Sequence, residues 1–221
     1  MIGIRCGKLE DLPALRDFAE MHSLGLELQE FAQPEILDGE WRGLLHRYRQ
    51  ALAEFSGPIS LHGPFVDLFS GSVDPRIAAV AMDRYRQSLE IAAELGAWLV
   101  NFHLNYNPLV DESSYRPRWL ERQVGFWATL ALEAQAMGIR IALENMWEPD
   151  PFLQVEVIQK VSHFHVGACL DNGAIPMEPV LSRLVRCLNR PMLILEMPSL
   201  AEIQESFPVL QRILQRMSWP Q

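Results

Sequence analysis

Positive charge is scarce in this chain and nowhere concentrated: 19 Lys and Arg stand against 28 Asp and Glu, a net charge of −9, with no basic tract along its length. A phosphate backbone is held by clustered cations, so nucleic acid is excluded as the expected partner. Cysteine is scarce too. The three residues Cys6, Cys169 and Cys187 are an odd number without metal-ligand spacing, and Cys6 and Cys169 fall inside apolar strand-like segments. They read as reduced core thiols, which points to the cytoplasm. No apolar run is long enough to span a bilayer, and Ile2-Gly3-Ile4-Arg5-Cys6 reads as a strand rather than as the basic and apolar stretch of a targeting leader. The expectation is a cytoplasmic protein with no membrane partner. Linkers, low-complexity tracts and shifts of composition are also missing, so residues 1–221 read as a single domain.

What the chain does have is a regular alternation of strand and helix. Its 221 residues, 49% of them hydrophobic, are enough for a full core. They fall short of the roughly 250 residues usual for a complete eightfold barrel. Asp11-Leu12-Pro13 opens a helix to about Met21, Leu24–Leu28 is a second strand, and a helix follows over about 38–55. Asp74-Pro75 opens another, closed by Gly96, and the stripe Leu120, Val124, Trp127, Ala131 and Ala134 ends near Gly138. Asp150-Pro151 begins a short helix, 177–188 holds one more, and Ser199 with Glu202 has capping-box spacing ahead of the last. This is an α/β fold with seven strands and seven helices. A parallel barrel closes with eight, and between Asp171 and Met192 there is room for one helix and no strand.

Five short apolar runs each end in a polar residue: His62, His103, Glu144, Asp171 and Glu196. If the runs are parallel strands of one barrel, these side chains converge on one rim, where such barrels keep their chemistry. A histidine after a strand is by itself more often structural than a ligand. Three carboxylates on one rim would repel one another without a cation, however, so convergence favours a divalent-metal site over a partly protonated cluster. Three oxygen ligands suit Mn²⁺ or Mg²⁺, and two imidazoles with a carboxylate suit Zn²⁺, so the expected cofactor is a divalent ion among Mn, Zn, Mg and Co. Glu27 reads equally as a ligand contact or a solvated rim residue, and Asp67 either orients His62 or caps a turn. Trp147 follows Glu144-Asn145 in a rim loop and offers an aromatic face to a ligand.

The segments Leu61-His62-Gly63-Pro64-Phe65-Val66-Asp67-Leu68, Asn101-Phe102-His103 with Tyr106-Asn107-Pro108, Leu143-Glu144-Asn145 with Glu148-Pro149-Asp150-Pro151, and Leu170-Asp171-Asn172-Gly173 resemble the xylose-isomerase-like TIM barrels. That superfamily includes sugar isomerases and epimerases and endonuclease-IV-type enzymes. The resemblance implies a TIM-barrel-like (β/α) barrel, here seven-stranded and incomplete. Two departures stand out: Ala174 occupies the place of a family histidine, and the family's seventh strand is missing, so that Met192–Glu196 resembles the eighth. By resemblance, Glu144, Asp171 and Glu196 match three of the four metal ligands of the sugar epimerases. In the endonuclease-IV-like members His62, His103 and Glu144 match a first zinc site.

The resulting expectation is a metal-dependent sugar or sugar-phosphate isomerase or epimerase that moves a proton next to a carbonyl. Glu144 and Glu196 carry the proton, Glu144, Asp171 and Glu196 hold the metal, and His62, His103 and Trp147 bind a small polyhydroxy substrate, the two histidines being further candidate ligands. Two alternatives stand beside it: a metal-dependent phosphoester hydrolase of the endonuclease-IV-like type, and a degenerate, non-catalytic binding protein. A homodimer covering the gap between the sixth and last strands is expected as well.

Overall fold

Each strand divides its side chains between two faces. In β1 (Ile2–Cys6), β2 (Gly25–Leu28), β3 (Ile59–His62), β4 (Leu99–His103) and β5 (Arg140–Glu144), one set of alternate residues is wholly apolar. Ile4, Leu26, Leu61, Val100, Phe102, Ile141 and Leu143 all lie in the hydrophobic core. The other set faces the opposite way and, apart from Leu99 at the start of β4, is polar or small, because the side-chain period of a strand is two. With β6 (Val166–Cys169) and β7 (Leu193–Leu195), the strands pair in parallel in the order β6-β5-β4-β3-β2-β1-β7.

The computed structural model describes residues 2–146, 148, 152–169, 193–197 and 199–216. The expected strand deletion, the helix over 177–188, Asp171, Ala174, Trp147 and most of the expected dimer interface lie outside the described residues.

Helices cover the apolar face: α1 (Leu12–His22), α2 (Pro34–Asp38), α3 (Trp41–Ala51), α4 (Pro75–Leu95), α5 (Tyr115–Ala136), α6 (Phe152–Val161) and α7 (Leu200–Arg216). Tyr85 of α4 stacks on Trp127 of α5 with ring centroids 5.5 Å apart, and both pack on Phe102 of β4. Each such ring removed from water contributes roughly 2–3 kcal/mol, which fixes β4 against its two flanking helices. The helix ends follow the sequence signals. Asp74 Oδ1 accepts the Arg76 N–H at 2.8 Å, and Gly96 ends α4 with φ 72°, a conformation that side chains resist. Ser199 Oγ accepts the Glu202 N–H at 3.3 Å, so the expected cap opens α7.

One expected helix is corrected. The segment read as one helix over about 38–55 is two, because Pro34 starts α2 early and Gly39 then leaves the helical region at ψ −133°. Asp38 is thus the last residue of a short helix rather than the start of a long one. Among the described residues no helix is long and apolar enough to cross a membrane.

Candidate metal centre

The polar face of the sheet builds the site strand by strand. Parallel register sets His62 beside Asn101, and His103 beside Glu144, which in turn stands beside Cys169. His62, His103 and Glu144 are buried, with relative exposures of 4%, 5% and 6%. Their donor atoms converge: the two Nε2 atoms lie 3.2 Å apart, and each is 3.6 Å from Glu144 Oε2. Ligand atoms at about 2.05 Å from a tetrahedral zinc are separated by about 3.3–3.4 Å, so this triangle has the dimensions of one face of a coordination tetrahedron. Among the described residues these three are the group that could hold a metal ion.

The surroundings fix the orientation of two of the three. His62 Nδ1 pairs with the Gly63 carbonyl at 2.8 Å, which sends Nε2 toward the other donors. The main chain thereby supplies the outer hydrogen bond that ligating histidines usually make. Asn101 Nδ2 donates to Glu144 Oε2. His103 Nδ1 is buried without a partner, and its ring is held by packing instead, with the Phe65 centroid 4.8 Å from it and 5.2 Å from that of His62. The loop that carries Phe65 is pinned from below. Asn105, in the left-handed region at φ 53°, donates to the carbonyls of Phe65 and Leu68, and Arg122 and Gln123 of α5 bond Gly71 and Ser70.

Protonation follows from these contacts. Burial disfavours a charged His62, but the hydrogen bond and charge of Glu144, with Glu27 behind it, raise the imidazole to about 9. Burial, and then the charged His62, hold His103 down at about 4 against the pull of Glu144. Burial pushes Glu144 upward, yet His62, His103 and Asn101 together keep it below the ordinary carboxylate range. A proton on His62 therefore sits where a cation would.

A second polar set faces the first from β1, β2 and the end of β7. Glu27, read from the sequence as a contact or a solvated rim residue, is 1% exposed and lies on the interior face beside Ser60. Burial raises it to about 7. Gln29 Nε2 donates to Glu27 Oε1 at 3.1 Å and to Glu196 Oε1, while Gln29 Oε1 accepts from Arg5 Nε. Glu196 is exposed and is not part of the histidine group. Asp67 is exposed at φ 56°, and the group that pairs with His62 Nδ1 is the Gly63 carbonyl. Arg5, Gln29, Asn101 and Phe65 were not singled out from the sequence. For Gln29 and Asn101 the available signal was a polar residue two positions from one already considered, Glu27 and His103 respectively.

The fold and site together define a parallel barrel with a buried nitrogen-and-oxygen donor group at the carboxyl ends of its strands. The family model for the xylose isomerase-like TIM barrel matches residues 18–175, and the chain belongs to that family. A protein of Methanocaldococcus jannaschii described as uncharacterized protein MJ1311 is 28% identical over 123 residues, 52% of this chain and 41% of that one. The match thus spans less than half the length of that relative. Among solved structures, the TTHB071 protein from Thermus thermophilus, soaked with ZnCl₂, superposes with a TM-score of 0.73 at 21% identity, over 97% of this chain and 98% of that one. A D-tagatose 3-epimerase-like protein follows at 0.67 and 18%, over 98% of each chain.

Proposed function

We propose that this protein is a metal-dependent sugar isomerase or epimerase that transfers a proton next to a carbonyl. The observation that carries the reading is the buried His62, His103 and Glu144 triangle of 3.2, 3.6 and 3.6 Å, with a second pair of carboxylates across the same mouth. The donor set fits a divalent ion: two imidazole nitrogens and a carboxylate oxygen lie within 3.6 Å of one another, and a metal requires those imidazoles neutral and that carboxylate ionised. An ion bound there would polarise a carbonyl oxygen and stabilise negative charge beside it. Asp171 is proposed as a further ligand and Trp147 as a stacking surface for the substrate.

The chain's own groups supply the proton chemistry. Glu196, exposed at the mouth, is the carboxylate that reaches a bound substrate and takes a proton from the carbon beside the carbonyl. Glu27 Oε2, buried and without a partner, is the atom that holds a proton near neutral pH, since burial lifts that carboxyl to about 7. The reading draws support from solved relatives of the same fold described as D-psicose 3-epimerase and L-ribulose 3-epimerase, at 16% and 15% identity.

The test is solvent deuterium uptake. Protein loaded with Mn²⁺ or Zn²⁺ and incubated in D₂O with D-tagatose, D-psicose, D-fructose and phosphorylated ketoses should place deuterium on the carbon beside the carbonyl, and Glu196→Gln should abolish it. Absence of exchange across that panel would count against the assignment. The second reading, phosphoester hydrolysis, is favoured by the nitrogen-rich donor set, which is the kind that activates water on zinc. Release of nitrophenol from a nitrophenyl phosphodiester, lost in His62→Ala, would select it.

A further inference from the structure

A single helix side chain joins the carboxyl ends of β5 and β6. Gln154 of α6 is fully buried, and its Nε2 donates to the main-chain carbonyls of Leu143 in β5 and of Cys169 in β6, the second at 2.6 Å. Leu143 immediately precedes Glu144, while Cys169 stands beside Glu144 in the register and comes two residues before Asp171. We infer that Gln154 is a positioning residue, an amide clamp that sets the separation of the β5 and β6 ends and so the placement of the metal-binding carboxylates they carry. The inference rests on the metal reading above.

The contact does not depend on an ion. Both acceptors are carbonyl oxygens of the strands themselves, which accept and never donate, so the amide nitrogen must be the atom that faces them. That orientation carries a penalty, since Gln154 Oε1 is left buried without a partner among the described residues. Gln123, the other buried glutamine among them, leaves no such orphan: its oxygen accepts from Trp127 Nε1 while its nitrogen donates to Ser70 Oγ and the Leu104 carbonyl. A side chain present only to pack α6 on the sheet would be apolar, as the buried Leu153 and Val157 are. The two donors are therefore what position 154 supplies. They are supplied where the sheet needs them, because the ladder stops at a strand's carboxyl end and the carbonyl of Cys169, the last residue of β6, must find its donor elsewhere. Among the described residues β6 pairs with β5 alone, at one end of the strand order, and the tie through Gln154 is a second hold on its carboxyl end. Ligands at about 2 Å from an ion tolerate little displacement, so what fixes a strand end also fixes affinity.

The experiment compares two variants of the full-length protein. Gln154→Met keeps the length of the side chain and loses both N–H groups, whereas Leu153→Ala loosens the same helix without removing a hydrogen bond. Amide hydrogen exchange is read by nuclear magnetic resonance on the metal-free chain, and Co²⁺ affinity by the visible absorption of the bound ion. Gln154→Met should speed exchange at Glu144 and Cys169 roughly tenfold or more relative to Ile141 and Val166 near the other ends of the same strands. It should also weaken Co²⁺ binding roughly 10–100-fold and change the shape of the absorption band. Leu153→Ala should lower the unfolding temperature and leave the exchange ratio and the Co²⁺ affinity at their wild-type values. Should Gln154→Met not fold, Gln154→Asn retains an amide on a stem one carbon shorter, too short to reach both carbonyls, and the same two shifts should appear in reduced form. An unchanged exchange ratio in a folded variant overturns the inference. A raised ratio with wild-type Co²⁺ affinity overturns it too, because Gln154 would then serve the sheet alone. A wild type that takes up no Co²⁺ while the ratio rises in Gln154→Met tells against the metal reading and leaves the clamp on the strand ends standing.

Discussion

Metal uptake at this centre should release a proton, and the structure sets how much affinity that costs. His62 titrates at about 9, so near pH 7 its Nε2 carries a proton at the point where an ion must bind. His103 at about 4 is already neutral, and Glu144, held below the ordinary carboxylate range, is already ionised. Only His62 must therefore be stripped. The gap of about two pH units corresponds to roughly 3 kcal/mol, or a hundredfold, between the affinity near pH 7 and the plateau reached above pH 9. The sign is fixed: a raised imidazole favours its protonated form, so acid competes with the metal and affinity climbs as pH rises. Zinc affinity measured by competition with a chromophoric chelator should rise about tenfold per pH unit from about pH 6.5 to 9 and then flatten. Calorimetry in buffers of different ionisation enthalpy should report about one proton released per ion near neutrality. A flat affinity over that interval, or uptake without proton release, would refute the argument and mean that the ion does not bind at His62 Nε2.

Two further predictions concern the residues behind the ligands. Asn101→Ala deletes the amide that donates to Glu144 Oε2, and zinc affinity by the same competition should fall roughly 10–100-fold while the unfolding temperature of the metal-free protein changes far less. Gly63→Ala would press a methyl group into the Phe102 ring, and should lower the unfolding free energy, measured by denaturant titration, by about 1–3 kcal/mol, with metal affinity falling too because the Gly63 carbonyl orients His62.

Strand ends were the legible part of this site. His62, His103 and Glu144 are recognisable in sequence because each follows an apolar run, and a polar residue there lands at the carboxyl end of a strand whichever helix comes next. Their convergence then follows from parallel register. Helix ends marked by Asp74, Gly96 and Ser199 were legible for a similar reason, since each signal acts within a few residues. The role of Glu27 was not, because the glutamate next to last in GLEL reads alike on a solvated rim and in a barrel interior; only the assembled sheet shows which face it takes. Gln29 was hidden more deeply. Its meaning lies in a contact with Glu196, 167 positions away in sequence, and in the arginine that orients it. The break at Gly39 was missed because the apolar spacing on its two sides is compatible with one continuous helix.

The pinned loop above the histidines bears on time as well as on position. Phe65 covers both imidazoles, and its loop is tied by Asn105, Arg122 and Gln123 to a strand end and a long helix. An ion leaving the histidines through that side would have to wait for several bonds to open together. Residence on the protein is then governed by the rate of a local opening rather than by affinity alone, and a chain charged with its ion once would keep it through many encounters with competing ligands. The identity of an ion held there would then record what was available when the loop last opened.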